Sequence, residues 1–338
     1  MFIVNSYTLA VILCFVTMLC WGSWGNTQKL AARNWRYELF YWDYVIGMVL
    51  FSLLLAFTLG SHGAEGRPFL QDVAQATPAS MGWILLGALV FNLSNILLSA
   101  SISFAGMSVA FPLGVGLALV MGVLNNIIFH PKGNENLFLL FLGVAFVVAA
   151  IVCNGIASGK VDTGLKDPEK NRKGLVLAII AGVVMSFFSA LVYNGVDLAD
   201  FASPEAGKCT PYTAIVLFTA GVFLSNFIIN TIVMKKPFIG EPVTYRQYFK
   251  DGNLKTHLVG MLGGCIWCLG TALSYITAGK AGAAISYALG QGAPLVAAIW
   301  GVFIWKEFEG AKKGVPALLA AMFCLFIAGL ALIIVSGN

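Results

Sequence analysis

Between Val73 and Phe129 the chain runs for 57 residues without a single Asp, Glu, Lys or Arg. A helix needs about 20 apolar residues to cross the hydrocarbon core of a bilayer. The run therefore holds two spans and a tight turn, expected near Ala105 to Met107. Read the same way, the charge-poor stretches predict ten spans, near 7–28, 39–60, 79–103, 107–129, 136–158, 174–196, 211–234, 256–278, 282–304 and 314–335. Composition agrees: 59% of residues are apolar, 10% are charged and the mean hydropathy is +0.86. Such a chain is an all-α integral membrane protein, and a soluble domain of this length is excluded.

The basic residues set the orientation, because Lys and Arg stay in cytoplasmic loops. Sixteen of the twenty follow odd-numbered spans: Lys29, Arg33 and Arg36, the group from Lys160 to Lys173, the group from Lys235 to Lys255, and Lys306, Lys312 and Lys313. Arg67, Lys132, Lys208 and Lys280 fall on the other side. Both termini are thus expected outside. The first seven residues carry no Lys or Arg and no small-residue cleavage site follows, so the first span is expected to be retained. With the basic residues confined to loops, no face is left for nucleic acid.

One hydrophilic linker of mixed charge, 160–173, divides the chain into an N-terminal half, 1–159, and a C-terminal half, 174–338. Five spans is an odd number, so halves of one fold must be inverted relative to each other. Phe104 to Gly116 is similar to Thr277 to Gly292 with three extra residues, and Trp24-Gly25-Asn26 has a loose counterpart in Tyr193-Asn194-Gly195. Seven cysteines lie mostly within apolar spans and read as small apolar side chains. Cys265 and Cys268 form a CxxC inside such a run, with no second ligand pair for a metal, so neither metal nor cofactor is expected.

Ten spans in two inverted halves resemble the drug/metabolite transporter superfamily. Within it, CWGSWGNTQKL from Cys20 and WRYELFYWDYVIG from Trp35 resemble the opening signature of the plant ureide permeases and their bacterial relatives. Trp305-Lys306-Glu307 resembles the Glu-containing end of the ninth helix in the superfamily. The resemblance implies secondary uptake of allantoin, uracil, xanthine or similar oxo-heterocycles with protons, in a bacterial inner membrane. Neighbouring families carry glucose, ribose or rhamnose, which keeps a sugar transporter as the alternative. A lipid-carrier flippase uses the same fold, but no extended basic groove for a phosphate head is visible. The linker here has no GxxxxGK[ST], so no ATP-linked role follows.

A neutral, hydrogen-bonding solute needs amide-type partners at the midplane, because polar groups buried without partners cost several kcal/mol. Asn92 and Asn95, three residues apart in the third span, supply amides, and Trp267 in the eighth supplies an aromatic plate. Packing between helices is the competing role for membrane asparagines. Pro112, Gly114 and Gly116, and Gly290, Gly292 and Pro294, are helix-weakening clusters at matching places, expected as helix breaks that line a cavity or flex. Gln291 lies between two of those glycines and Tyr287 one turn before it. On the strength of the family signature Trp21, Trp24 and Asn26 join the binding candidates, while Trp35, Trp42 and Trp305 are expected in an interfacial aromatic belt. Glu38 and Asp43 are the deepest acids of the first half; Asp43 is the proton candidate, and Glu38 is expected to pair with Arg36 or Lys29 as a gate or strut. An enzyme would need paired carboxylates or a nucleophile with a His base, and the three histidines, 62, 130 and 257, lie at span ends.

Overall fold

The computed structural model describes residues 1–31, 35–131, 136–160, 168–306, 308, 309, 311 and 313–337. Arg33, Lys132, Glu307, Lys312 and residues 161–167 of the linker lie outside the described residues. The helices are α1 (Tyr7–Ala31), α2 (Tyr37–Phe57), α3 (Phe69–Gln75), α4 (Pro78–Ala105), α5 (Met107–Phe129), α6 (Leu137–Gly159) and α7 (Pro168–Met185). They continue with α8 (Phe188–Tyr193), α9 (Pro211–Lys235), α10 (Tyr245–Asp251), α11 (Leu254–Ala281), α12 (Ala283–Gly290), α13 (Ala293–Ile299) and α14 (Val315–Val335); a π-helical turn, Trp300–Ile304, extends α13. Among the described residues ten segments are long and apolar enough to cross a bilayer, and their ends fall close to the expected ones.

Local chemistry sets those ends. Thr77 caps α4 by accepting from Ser80 N, with Pro78 in the first turn, and Asn253 caps α11 by accepting from Thr256 N. The turn expected inside the 57-residue run is one residue, Gly106, at φ 82°, ψ 159°. Gly282 joins α11 to α12 at φ 88°, ψ 147°. A side chain would strain either joint.

α1 packs on α11 and α13, α4 on α7 and α9, α2 between α9 and α11, α5 on α6, α7 and α12, and α6 on α14. Ile128, Phe138, Leu224, Ile228 and Ile327 point outward, as lipid-facing residues do. Small residues let backbones approach. The tightest crossing is α2 over α11, where a Cβ on Gly264 would lie 1.9 Å from the Tyr44 carbonyl oxygen.

Several expectations are corrected. Trp35 and Trp42 are not a lipid-facing belt: they are 4% and 5% exposed, because Trp35 packs on His257 and Tyr248 while Trp42 packs on Phe223, Phe227 and Tyr245. Pro112, Gly114 and Gly116 do not break α5, which runs unbroken through them. Pro112 lies near the start of that helix, and Gly114 and Gly116 seat α5 against Ala178 and Ile151. In the second half α12 does end at Gly290, and Gln291 and Gly292 form the turn into α13. The sixth span is interrupted at Ser186 and Phe187, and α3 and α10 lie in the connections.

Candidate functional site

A cavity lies where six helical segments meet near the centre of the bundle. α1 contributes Trp21 and Trp24, α4 Phe91, Asn95 and Leu98, α5 Val115, and α11 Trp267. Met185 and Phe188 come from the α7–α8 joint, Gln291 and Ala293 from the α12–α13 turn. The void is tight, ≈ 30 Å³, room for about two water molecules. A heterocycle therefore enters only as the walls part.

Those walls are aromatic. Trp267 lies 4.4 Å, centroid to centroid, from Phe91 and 6.0 Å from Phe218, and Trp21 stands 6.3 Å from it with the ring planes 14° apart. Trp21 is held by donating from Nε1 to Thr271 Oγ1 at 3.1 Å. Gly290 makes room for it, since a Cβ there would lie 2.7 Å from the indole ring. Asn95 donates from Nδ2 to the hydroxyls of Tyr41 (3.2 Å) and Tyr44 (3.5 Å) on α2, which leaves its carbonyl oxygen as the polar edge toward the cavity. Among the described residues none of the lining side chains is ionisable.

Five of the eight residues expected to bind solute, Trp21, Trp24, Asn95, Trp267 and Gln291, line this cavity together. The other three lie elsewhere. Asn92 donates to the Val222 carbonyl (3.2 Å) and Ser225 Oγ (2.9 Å), tying α4 to α9. One turn of helix separates it from Asn95 by enough angle to give the two amides different neighbours. Asn26 accepts from Trp305 Nε1 at 2.6 Å near the end of α1. Tyr287 donates to the Ala118 carbonyl at 3.2 Å and packs its ring over Gly122 on α5.

Sequence reasoning missed Phe91, Leu98, Val115, Met185, Phe188 and Ala293. A signal was present: the offset of 176 residues that carries Gly106 to Gly282 also carries Gly114 to Gly290, Gly116 to Gly292, Phe91 to Trp267 and Val115 to Gln291. The three extra residues of the first alignment are thereby unnecessary. Met185 and Phe188 repeat the three-residue spacing of Trp21 and Trp24.

At the lysine- and arginine-rich end, Glu38 receives two bonds from Arg36, Nη2 to Oε1 at 2.5 Å and Nε to Oε2 at 3.2 Å. Lys29 lies over the Trp305 ring instead, 4.4 Å from its centroid. Asp43 is fully buried and meets Tyr248 Oη (2.5 Å), His257 Nδ1 (2.7 Å) and Trp35 Nε1 (3.2 Å). Outside the spans, burial and then this contact push the Tyr248 hydroxyl well above its ordinary pKa. The opposite end has its own buried carboxylate, Asp72, paired with Arg67 at 2.9 Å and accepting from Thr210 N at 2.7 Å. Asp197 and Asp200 hold the loop backbone there: Asp197 accepts from Ala199 N and Glu205 N, and Asp200 from Ala202 N and Ser203 N.

The chain resembles proteins of known name over its whole length. It is 24% identical to "Ureide permease 1" of Arabidopsis thaliana across 100% of this chain and 99% of that one. A protein of Enterococcus faecalis named for sugar uptake is 22% identical, across 94% of this chain and 96% of the other. A solved crystal structure of a protein 15% identical in sequence covers 96% of each chain with a TM-score of 0.58, a likeness of fold alone. The ureide permease family model matches residues 40–171 and 164–336. The chain therefore belongs to the ureide permease family, whose members are membrane transporters and not enzymes.

Proposed function

We propose that this protein imports a small, flat, neutral nitrogenous heterocycle, a ureide such as allantoin or a uracil- or xanthine-type compound, by proton symport with alternating access. The observation that carries the reading is the central cavity: aromatic plates, two amides at Asn95 and Gln291, and, among the described residues, no ionisable lining side chain. Stacking faces suit a planar ring and amides suit its alternating N–H and C=O groups. A charged solute finds no counter-ion in that lining. Its tightness supports a cycle in which the walls part toward one side at a time.

We read the chain as two inverted five-helix halves, 1–159 and 174–338, joined by the linker 160–173. Supporting this are the matching conformations of Gly106 and Gly282. The packing of α1 on α11 beside that of α4 on α7 supports it as well. Under that symmetry Phe91 and Trp267 are equivalent residues, so the cavity sits on the axis about which the halves rock. The basic end is taken as cytoplasmic and both termini as external, in a bacterial inner membrane.

A sugar is the second reading, favoured by the Enterococcus faecalis relative named for sugar uptake. Two lining amides leave most hydroxyls of a sugar ring without partners, so the heterocycle is preferred. Purified protein in liposomes, alkaline inside, is expected to accumulate labelled uracil or allantoin above equilibrium and to stop when a protonophore is added. Accumulation of glucose or ribose, with no heterocycle carried, would replace this reading with the second.

A further inference from the structure

Proton symport needs a group that gains and loses a proton, and among the described residues the cavity lining offers none. The buried acids at the basic end of α2 differ in kind. Glu38 is fixed by the two bonds from Arg36. Asp43 has no Arg or Lys partner among the described residues; it faces a histidine, a phenol and an indole brought together from three elements. Resting on the symport reading above, we infer that Asp43 and His257 share a proton taken up at the basic end, and that this proton controls how firmly α10 straps that end.

The groups facing Asp43 are few. α11 supplies His257 and α10 supplies Tyr248; the α1–α2 connection supplies Trp35, which does not titrate. Arg36 is turned to Glu38 and to the carbonyls of Ile239 and Glu241, and Lys29 lies on Trp305. From α9, Asn230 reaches the Glu38 carbonyl and Met234 reaches Trp42, while from α4 Asn95 reaches Tyr41 and Tyr44.

With the carboxylate ionised, Oδ1 accepts from Tyr248 and from His257 Nδ1–H, and Oδ2 accepts from Trp35. The His257 side chain is 21% exposed, against 0% for Asp43, so it is the route by which a proton arrives. A proton added at Nε2 makes the imidazole cationic, and the Nδ1 proton then passes to Oδ1. One proton has entered; both groups are neutral; the carboxyl now donates to Nδ1. The Tyr248 bond to Oδ1 loses its charge assistance and weakens. Release runs the same steps backward.

Two features tie this pair to the rest. Gly252, between α10 and α11, lets the strap close, since a Cβ there would lie 2.3 Å from His257 Nε2 and 2.7 Å from Trp35. Tyr44, the next residue after Asp43, packs at 5.0 Å, tilted by 45°, against Trp24 and contacts Asn95, so a shift of α2 reaches the cavity wall directly.

Hydrogen exchange of the purified protein tests the pair without any solute. Corrected for intrinsic rates, amide protection over 245–251 is expected to fall about tenfold between about pH 8 and pH 5.5, while the segment held by Arg36 at 239–241 changes little. In Asp43→Asn and in Tyr248→Phe protection over 245–251 is low at both pH values. In His257→Gln, which removes a donor that favours the carboxylate, the midpoint moves to higher pH. Each variant is first checked for a single sharp melting transition; Tyr248→Phe lies outside the spans and serves as the reading if Asp43→Asn fails that check. Wild-type protection independent of pH, or a wild-type response in either Asp43→Asn or Tyr248→Phe, overturns the inference. If no heterocycle is transported the symport reading fails on its own, and this exchange result still decides whether the pair works the strap.

Discussion

Asn92 and Asn95 stand one helical turn apart and give the sharpest single comparison. Asn92 makes two bonds from α4 to α9, and interhelical bonds of this kind average about 0.6 kcal/mol in membranes. Asn92→Leu is thus expected to cost about 1 kcal/mol of stability, lowering the melting temperature by a few degrees. Its effect on ligand affinity should be nil, because the side chain does not line the cavity. Asn95→Leu removes the donor to Tyr41 and Tyr44 at a similar cost in stability, and it also removes the carbonyl offered to the solute. One neutral hydrogen bond is worth about 1 kcal/mol, so the dissociation constant for uracil should rise about fivefold. Calorimetric titration beside melting curves on the same samples separates the two effects. Equal loss of affinity in both variants, or wild-type affinity in Asn95→Leu, would refute the assignment of the two amides.

Other consequences are open to test. Gly264→Val is expected to force α2 off α11, because even a Cβ would lie 1.9 Å from the Tyr44 carbonyl; a loss of about 3 kcal/mol or failure to yield folded protein should be seen in melting curves. Arg67→Ala strips the buried Asp72 of its cation, and breaking such a pair from one side costs about 3 kcal/mol; restoration of the melting temperature by Arg67→Lys would show that charge, more than fork geometry, is what matters. His130, just past the end of α5, has its pKa lowered by burial, so as the pH falls the unfolded chain takes up this proton before the folded protein does. Its contribution is complete above the ordinary value of about 6.5 and is lost as the pH falls below it. The difference in melting temperature between about pH 7.5 and 5.5 should shrink in His130→Gln.

Most of the fold was legible because a bilayer leaves a chain few options. Charge-free length alone located the spans, and Gly106 fell where the 57-residue run had to turn. What length does not encode was missed. α3 and α10 are short segments in connections of mixed polarity, below any span threshold. The aromatic and amide composition of the cavity was also readable, since Trp21, Trp24, Asn95, Trp267 and Gln291 are large or polar residues in places where small apolar ones would do. Phe91 and Phe188 stand out only through the 176-residue offset to Trp267 and the repeated spacing of Trp21 and Trp24, because phenylalanine in a membrane helix is unremarked by itself. The same holds for His257: its partner Asp43 lies 214 residues away, and no local pattern joins them. Rotation about the helix axis was the other blind spot. Asn92 and Asn95 look equivalent at a spacing of three, yet one meets α9 and the other α2.

The most direct test of the central claim is a melting-temperature screen of wild type and Trp267→Ala against uracil, xanthine, allantoin, glucose and ribose. A ligand raises the transition only by binding the folded state. The account predicts a rise with at least one flat heterocycle, none with either sugar, and loss of the rise in Trp267→Ala, whose ring forms the shared plate of the cavity. A rise with glucose or ribose alone, or a heterocycle shift that persists undiminished without the Trp267 ring, would contradict it.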